Sequence, residues 1–322
     1  MYLSNTIQRP KKCFLGLFSS ILMVTSCSNL NQPVVLEVSP VVQQAVFKTP
    51  EQASQAFFQV MKNHNETQYQ QLLGENFRQV LPMDTINRSD VENFIAAWKQ
   101  SHKLIPQGQK KNLIAVGDDD WTLPIPMIKT TTGWHFDIKE GMERMRIRRI
   151  GQNELATMQA VLAYYDAQIE YAEQDRNGNH ILEYAQKLIS SSGKQDGLFW
   201  QQSTGKPLSP LGSSHGDRSK NGGYYGYYYR ILKAQGEKAK GGAYHYLINN
   251  EMRSGFAIIA WPKHYGETGI MSFIVNHNGI VYEQNLGIDG ERIAKNMLAY
   301  NPDKGWVASK EVSLSGKKIE LQ

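Results

Sequence analysis

The sequence predicts an α+β protein in which N-terminal helices and an antiparallel meander are followed by a long helix and an antiparallel sheet. Three observations predict this fold class. Apolar residues first recur at helical spacing, then alternate as in half-buried strands, and an alanine-rich helical stretch later precedes four further strand patterns. Because 322 residues exceed the usual size of one domain, we expect two α+β domains, at residues 47–140 and 141–306.

Residues 1–26 are typical of a secretory signal peptide. The cations Arg9, Lys11 and Lys12 precede an apolar stretch at residues 14–24. That stretch is too short to span a bilayer, which takes roughly 20 apolar residues. Cleavage would remove three cations and no acid, which lowers the formal charge from +5 to +2. So small a positive charge argues against a nucleic-acid partner.

The segment Val24-Thr25-Ser26-Cys27 resembles the lipobox of bacterial lipoproteins. The resemblance implies that the thiol of Cys27 receives a diacylglycerol, with palmitate-type chains, so membrane lipid is an expected partner. Ser28 stands where an aspartate would imply retention in an inner membrane. The implied location is therefore the outer membrane, facing the periplasm. Residues 27–46 resemble a flexible tether, and with Cys13 removed the mature chain would have no disulfide.

Three helices are expected at the start of the folded part. Residues 49–52 form a capping box with proline at the first helical position, and residues 89–92 form a second one. A short helix is expected at residues 67–73, ending at Gly74.

The meander is predicted from strand patterns at residues 113–116, 121–127 and 134–138. The second strand contains Pro124 and Pro126, which lack amide hydrogens, so we expect it at a sheet edge. This helix-and-meander order resembles the nuclear-transport-factor-two-like fold, which often encloses an apolar pocket. The expected lining residues are Phe57, Phe94, Trp98 and Trp134.

The second domain is expected to open with a long helix from about Asn153 to residue 174, whose alanines suit close packing. A short helix is expected at residues 182–189, and a loop-rich stretch at 190–223. Strands are expected at residues 227–232, 256–261, 271–275 and 280–283, the last two joined by an Asn-His-Asn-Gly hairpin turn. Residues 307–322 are expected to be a polar tail.

From residue 47 to about 306 the chain resembles an uncharacterised bacterial group, domain-of-unknown-function family 2950. The family has no established activity, so the resemblance implies kinship without a reaction. The segments that carry it include Arg148-Arg149-Ile150-Gly151, Asn153-Glu154-Leu155, Glu183-Tyr184-Ala185, Asp196-Gly197-Leu198 and Gly241-Gly242-Ala243-Tyr244.

The order of elements after residue 141 resembles the globular part of type IV pilins and pseudopilins. A pilin helix continues upstream into a membrane-inserting apolar half. Here the upstream residues 143–149 are densely charged and cannot enter hydrocarbon. We therefore expect a pilin-like interaction module, with four arginines (144, 146, 148 and 149) that meet either anionic lipid or local carboxylates.

Oxygen-bearing side chains alternate after the long helix, at Asp175, Asn177, Asn179 and Glu183. A tight loop can turn such oxygens, with the carbonyl of Ile181, toward one centre. Calcium takes six to eight oxygen ligands, so calcium is the candidate cofactor. The alternative is an ordinary turn, because Asp, Asn and Gly favour turns unaided.

Two further motifs have open interpretations. Ser214 fits the letters of a Gly-x-Ser-x-Gly nucleophile elbow, but loop-type sequence on both sides argues against a catalytic role. A tyrosine cluster could bind a cell-wall glycan or an envelope protein, although a strand with alternating aromatic residues would have the same pattern. The cluster consists of Tyr224, Tyr225, Tyr227 and Tyr228.

These features favour an envelope lipoprotein that binds or scaffolds without catalysis, and no catalytic constellation is evident. Two alternatives stay open. One is a small-molecule carrier with an apolar pocket in the N-terminal domain. The other is an envelope hydrolase whose site assembles from distant residues, which would need a polar cleft with a histidine in reach of a carboxylate.

Overall fold

Three helices open the folded part of the computed structural model, which describes residues 43–81, 86–202, 207–212 and 224–310. Thr49 caps the first helix, accepting a hydrogen bond from the Gln52 amide at 3.3 Å as the sequence predicts. The predicted cap at Ser89 is wrong, because Asn87 caps that helix in a reciprocal capping box. The helices are α1 (Pro50–Asn63), α2 (Glu66–Leu73) and α3 (Arg88–Gln100), with a 3-10 turn at Glu75–Gln79.

An antiparallel five-stranded sheet follows, in the order β1-β2-β4-β5 with β3 paired to β2. The strand predicted over residues 121–127 is broken around Pro124 and Pro126, which cannot donate ladder hydrogen bonds. The first part of that strand, Trp121–Thr122, pairs with β2 alone, as an edge position requires. Its last residue, Met127, begins β4, which lies between β2 and β5, so the predicted edge position is wrong for that end. The strands are β1 (His102–Pro106), β2 (Lys111–Val116), β3 (Trp121–Thr122), β4 (Met127–Lys129) and β5 (Trp134–Phe136).

The aromatic residues expected to line a pocket in this half instead contact one another. The ring of Phe57 lies 5.7 Å from that of Phe94 and 5.4 Å from that of Phe136. Trp98 stacks on His102 at 4.4 Å, and Trp134 is buried. Phe94 also lines an open pocket of about 300 Å³ with Val116 and Trp121, so the small-molecule carrier stays a prediction.

A single helix, α4 (Ile138–Ala172), runs through the predicted boundary at residue 141. It begins at Asp137, whose side chain accepts from the Glu140 amide at 3.0 Å, and not near Asn153. The charged stretch 143–149 continues the helix because its ions pair along it, as Arg144 does with Glu140 at 2.9 Å. No helix in the described ranges is long and apolar enough to cross a membrane.

The arginines of α4 tie the helix to both halves of the fold. Arg148 donates to the Thr122 carbonyl at 2.8 Å, and Arg149 pairs with Glu267 at 2.9 Å. Each half nevertheless has its own cluster of buried apolar residues. Separable domains therefore stay a prediction, with the qualification that both halves share α4.

The C-terminal sheet is antiparallel, in the order β14-β13-β12-β11-β6, and packs against α4. The predicted hairpin turn at residues 276–279 does connect two paired strands. The strands are β6 (Tyr227–Leu232), β11 (Ala257–Pro262), β12 (Ser272–Asn276), β13 (Tyr282–Gln284) and β14 (Val307–Ala308), with two short ladders formed by β7 (Ala234–Gln235), β8 (Tyr244–His245), β9 (Leu247–Ile248) and β10 (Glu251–Met252).

Two predicted elements of this half are wrong. Residues 182–189 are not a helix, because their polar backbone groups bond elsewhere: the Tyr184 amide donates to the Met252 carbonyl at 2.8 Å. The polar tail does not begin at residue 307, since Val307–Ala308 is an edge strand paired with β13. A short helix, α5 (Gly290–Asn296), was not predicted.

Candidate functional site

A cleft of about 290 Å³ opens beside the C-terminal sheet. Residues 262–265, at the end of β11 and just beyond it, line one side. Ile270 and Ser272 contribute from the start of β12. Residues 286–288 and 290–291, leading into α5, line the remainder. The cleft thus assembles from three stretches that are separate in sequence.

Helix α4 holds the segment that enters β12. The carboxylate of Glu154 accepts from the amides of Ile270 at 2.8 Å and Met271 at 2.9 Å. The Tyr227 hydroxyl donates to the Met271 carbonyl at 2.9 Å, and burial raises the pKa of that hydroxyl. Gly269 is required beside it, because a Cβ there would lie 1.9 Å from the Tyr227 oxygen. The cleft is therefore built on a rigid support.

Ser272 is the unusual residue of the cleft. Its side chain is 1% exposed, and its Oγ has no hydrogen-bond partner among the described residues. Ala260 pairs with Phe273, so the next position along the two strands brings Trp261 beside Ser272. Trp261 is 4% exposed, and its indole Nε1 also lacks a partner. Such buried unpaired groups cost about 1–3 kcal/mol each and need an explanation.

The rim of the cleft carries charge and an exposed apolar side chain. Lys263 has no ion pair within the described part of the chain, and His264 follows it. Glu291 is neutralised by Lys295 at 2.7 Å. Ile288 is 83% exposed although it is aliphatic. The cleft therefore offers a buried hydroxyl, an available ammonium group and an uncovered apolar wall.

The arrangement suits binding better than nucleophilic catalysis. A serine nucleophile needs a base within hydrogen-bond reach. His264 and Glu291 line the same cleft, but the Ser272 hydroxyl bonds to neither of them. The hydrolase alternative is thus left without an activated nucleophile at this cleft.

The predicted calcium loop folds around its own backbone. Asp175 Oδ1 accepts from the amides of Gly178 at 2.7 Å and Asn179 at 3.2 Å, and Oδ2 accepts from that of His180 at 2.8 Å. These hydrogen bonds, that from His180 first, lower the pKa of Asp175. The Asn179 side chain in turn accepts from the Ile181 amide at 2.9 Å. These hydrogen bonds are the pattern of an ordinary turn, which is the alternative to an ion site.

Glu183 lies beside a second carboxylate that the sequence did not indicate. The Asn179 amide group donates to Glu183 at 3.4 Å and to Glu251 at 3.0 Å, and Asn177 also donates to Glu183. Burial raises the pKa of Glu183, and the charge of Glu251 raises it further. Among the described residues, no three acidic, histidine or cysteine side chains are gathered for a metal ion. Calcium binding stays a prediction.

The tyrosine cluster does not form one surface. Tyr227 is buried in the core, so a partner cannot contact it in this conformation. Tyr228 is half-buried, and its ring lies 5.8 Å from that of Trp261. Tyr224 and Tyr225 have adjacent rings, 4.3 Å apart, and Tyr225 is 39% exposed. Partner binding therefore stays a prediction for Tyr224, Tyr225 and Tyr228.

Two predicted positions, Cys27 and Ser214, lie outside the described residues. Conversely, the sequence interpretation missed Ser272, Trp261 and Lys263. A serine at the start of the buried strand Ser272–Asn276 was the one available signal, and small polar residues in buried strands are too common to indicate a site.

The comparisons with known proteins give one finding. A family described as "Protein of unknown function (DUF2950)" matches residues 44–309. No curated protein and no solved structure matches the chain. The likeness to pilins and to the nuclear-transport-factor-two-like fold therefore has no support from a solved structure.

Proposed function

Because the chain belongs to the DUF2950 family of proteins of unknown function, we propose a function from its own residues: a lipid-anchored bacterial envelope protein that binds a ligand without transforming it. The anchor would be Cys27, in the outer membrane facing the periplasm. The predicted bounds 27–46 of the tether are too long at the C-terminal end, because Gln44 donates to the Phe136 carbonyl at 2.8 Å and so belongs to the folded part. The residues between Cys27 and Gln44 would carry the folded body away from the lipid surface.

The lipobox at residues 24–27 supports the anchor, together with the cationic and apolar residues before it. Several acyl chains on one cysteine hold a protein stably at a membrane, where a single chain does not. The long helix α4 against an antiparallel sheet supports a pilin-like interaction module, whose partner would be an envelope protein or a cell-wall glycan. The helix-and-meander half keeps its proposed nuclear-transport-factor-two-like relation on pattern alone.

The observation that carries the binding role is the unpaired Ser272 hydroxyl, buried in an open cleft. A polar group that lowers stability is retained where function needs it. The apolar-pocket carrier is less favoured, because Phe57, Trp98 and Trp134 are buried, although Phe94 lines an open pocket of about 300 Å³.

Replacing Ser272 with alanine tests the binding role through stability. We expect the free energy of unfolding to stay the same or rise by about 1 kcal/mol, because the variant removes a hydroxyl that has no partner. Ser190→Ala is the matched control: that hydroxyl donates to the Gly197 carbonyl at 3.2 Å, so its loss should cost about 1 kcal/mol. Urea denaturation of both variants measures the difference. A loss for Ser272→Ala as large as that of the control would make Ser272 a structural residue.

Calcium binding by residues 175–183 is a second proposal, supported by the backbone of the loop. Calcium loops of the EF-hand type place oxygens at alternate positions, with a glycine at the sixth for a sharp turn. Here His180, the sixth residue counted from Asp175, adopts the left-handed backbone conformation with a φ of 66°. Glu251 accepts from Asn179 at 3.0 Å, but Asp175, Glu183 and Glu251 are not gathered for a metal ion here, so the loop would have to rearrange to use all three.

Melting curves in calcium and in EDTA test this loop. We expect calcium to raise the melting temperature, with a Kd of roughly 10⁻⁴ to 10⁻³ M, because an ion that binds only the folded state stabilises it. Glu183→Gln should remove the calcium effect without lowering the melting temperature in EDTA, since it relieves repulsion from Glu251. If the unmodified protein gives identical melting curves in calcium and in EDTA, residues 175–183 form an ordinary turn and not a calcium site.

A further inference from the structure

We propose that the cleft beside β12 binds a small carboxylate with an apolar body. The carboxylate would accept a hydrogen bond from Ser272 Oγ and pair with the Lys263 ammonium group, while the apolar body covers Ile288. This inference rests on the proposed binding role of the cleft and adds the class of its ligand.

The polar groups of the cleft select an acceptor with negative charge. Ser272 has an unused hydroxyl donor at a 1% exposed position, which the ligand would reach by displacing the side chains that cover it. Lys263 is the cation of the rim without an ion pair in the described ranges. The rim acid Glu291 is already paired with Lys295 at 2.7 Å and leaves the Lys263 charge uncompensated. A carboxylate satisfies both groups at once through charge-assisted hydrogen bonds.

The walls and the size of the cleft select an apolar body of limited length. Pro262, Ile270 and Leu286 line the cleft with Ile288, which is 83% exposed. Covering that aliphatic side chain removes apolar surface from water. A volume of about 290 Å³ lies at the lower end of the range for small-molecule sites, which excludes a folded partner inside the cleft.

Calorimetric titration of the mature protein in phosphatidylcholine vesicles tests the proposal, with protein-free vesicles as the blank. The probes are sodium hexanoate, hexanamide and inorganic phosphate at millimolar concentrations. We expect hexanoate to bind and the other two to bind at least tenfold more weakly, because one lacks the charge and the other the apolar body. Ser272→Ala and Lys263→Gln should each weaken hexanoate binding about tenfold, and the exposed lysine variant Lys304→Gln should not.

Each other outcome overturns a stated part of the proposal. If hexanamide binds as tightly as hexanoate, the cleft does not recognise the negative charge. If phosphate binds as tightly as hexanoate, the cleft does not require the apolar body. If no probe gives a heat of binding, the proposal of a carboxylate site is wrong. It is also wrong if hexanoate binds equally to the unaltered protein and to both cleft variants. The titration tests the class of ligand, whereas the binding role of the cleft is tested by unfolding. Only if the binding role is wrong do we expect Ser272→Ala to lower the free energy of unfolding.

Discussion

Replacing Cys27 with serine should abolish lipid attachment and leave either an uncleaved precursor or a mislocalised product. The lipobox ends at this residue, and a hydroxyl cannot take the place of the thiol that receives the diacylglycerol. Labelling cells with radioactive palmitate should therefore mark the unaltered protein and leave the variant unlabelled. Gel mobility detects an uncleaved precursor, and membrane fractionation detects a mislocalised product.

Cys13→Ser is the matched control, because it removes the other cysteine of the chain. It lies in the part that is cleaved off, so labelling and localisation should match those of the unaltered protein. Equal palmitate labelling of Cys27→Ser and the unaltered protein would exclude Cys27 as the lipid site.

Replacing Gln168 with alanine should lower the free energy of unfolding by about 3 kcal/mol. Gln168 is fully buried on α4, and its side chain bonds both backbone groups of Ala185: it accepts from the amide at 2.8 Å and donates to the carbonyl at 2.8 Å. It also donates to the Tyr164 hydroxyl at 2.9 Å. Alanine would leave these buried groups unpaired and add a cavity.

Gln159→Ala is the control on the same helix, since Gln159 is exposed. Its effect should stay within about 0.5 kcal/mol. Urea denaturation compares the two variants. A loss for Gln168→Ala no larger than that of the control would mean that Ala185 finds other partners, and that the segment after α4 is not held by this glutamine.

Local patterns were sufficient for much of the fold. The strand at Tyr227–Leu232 matches its predicted bounds, and α2 ends before Gly74 as predicted. These elements carry their own signals, because alternation, capping residues and helix-stopping glycines act over a few neighbouring residues.

Predictions failed where distant contacts decide the structure. The segment 182–189 has helical spacing, but Gln168 and Met252 bond its backbone and leave no helix. The N-terminal part of α4 was missed because its stripe is charged, and it is held by ion pairs with residues far along the chain, such as Arg149 with Glu267. Local propensity is a weak guide in such segments.

The candidate cleft could not be predicted for the same reason. Ser272, Lys263 and Ile288 belong to separate stretches that the antiparallel sheet and α5 bring together. A serine hydroxyl without a partner is visible only once the surrounding strands are placed. The calcium loop, by contrast, is local, and its turn conformation follows from Asp and Asn side chains that bond their own backbone.

Mass spectrometry of the N-terminal peptide from native membranes tests the central claim, a lipid-anchored envelope protein, most directly. The account predicts that the mature chain begins at Cys27, with a diacylglycerol on its sulfur and an acyl group on its amine. A mature chain that begins elsewhere, or an N-terminal Cys27 with a free thiol, would contradict it.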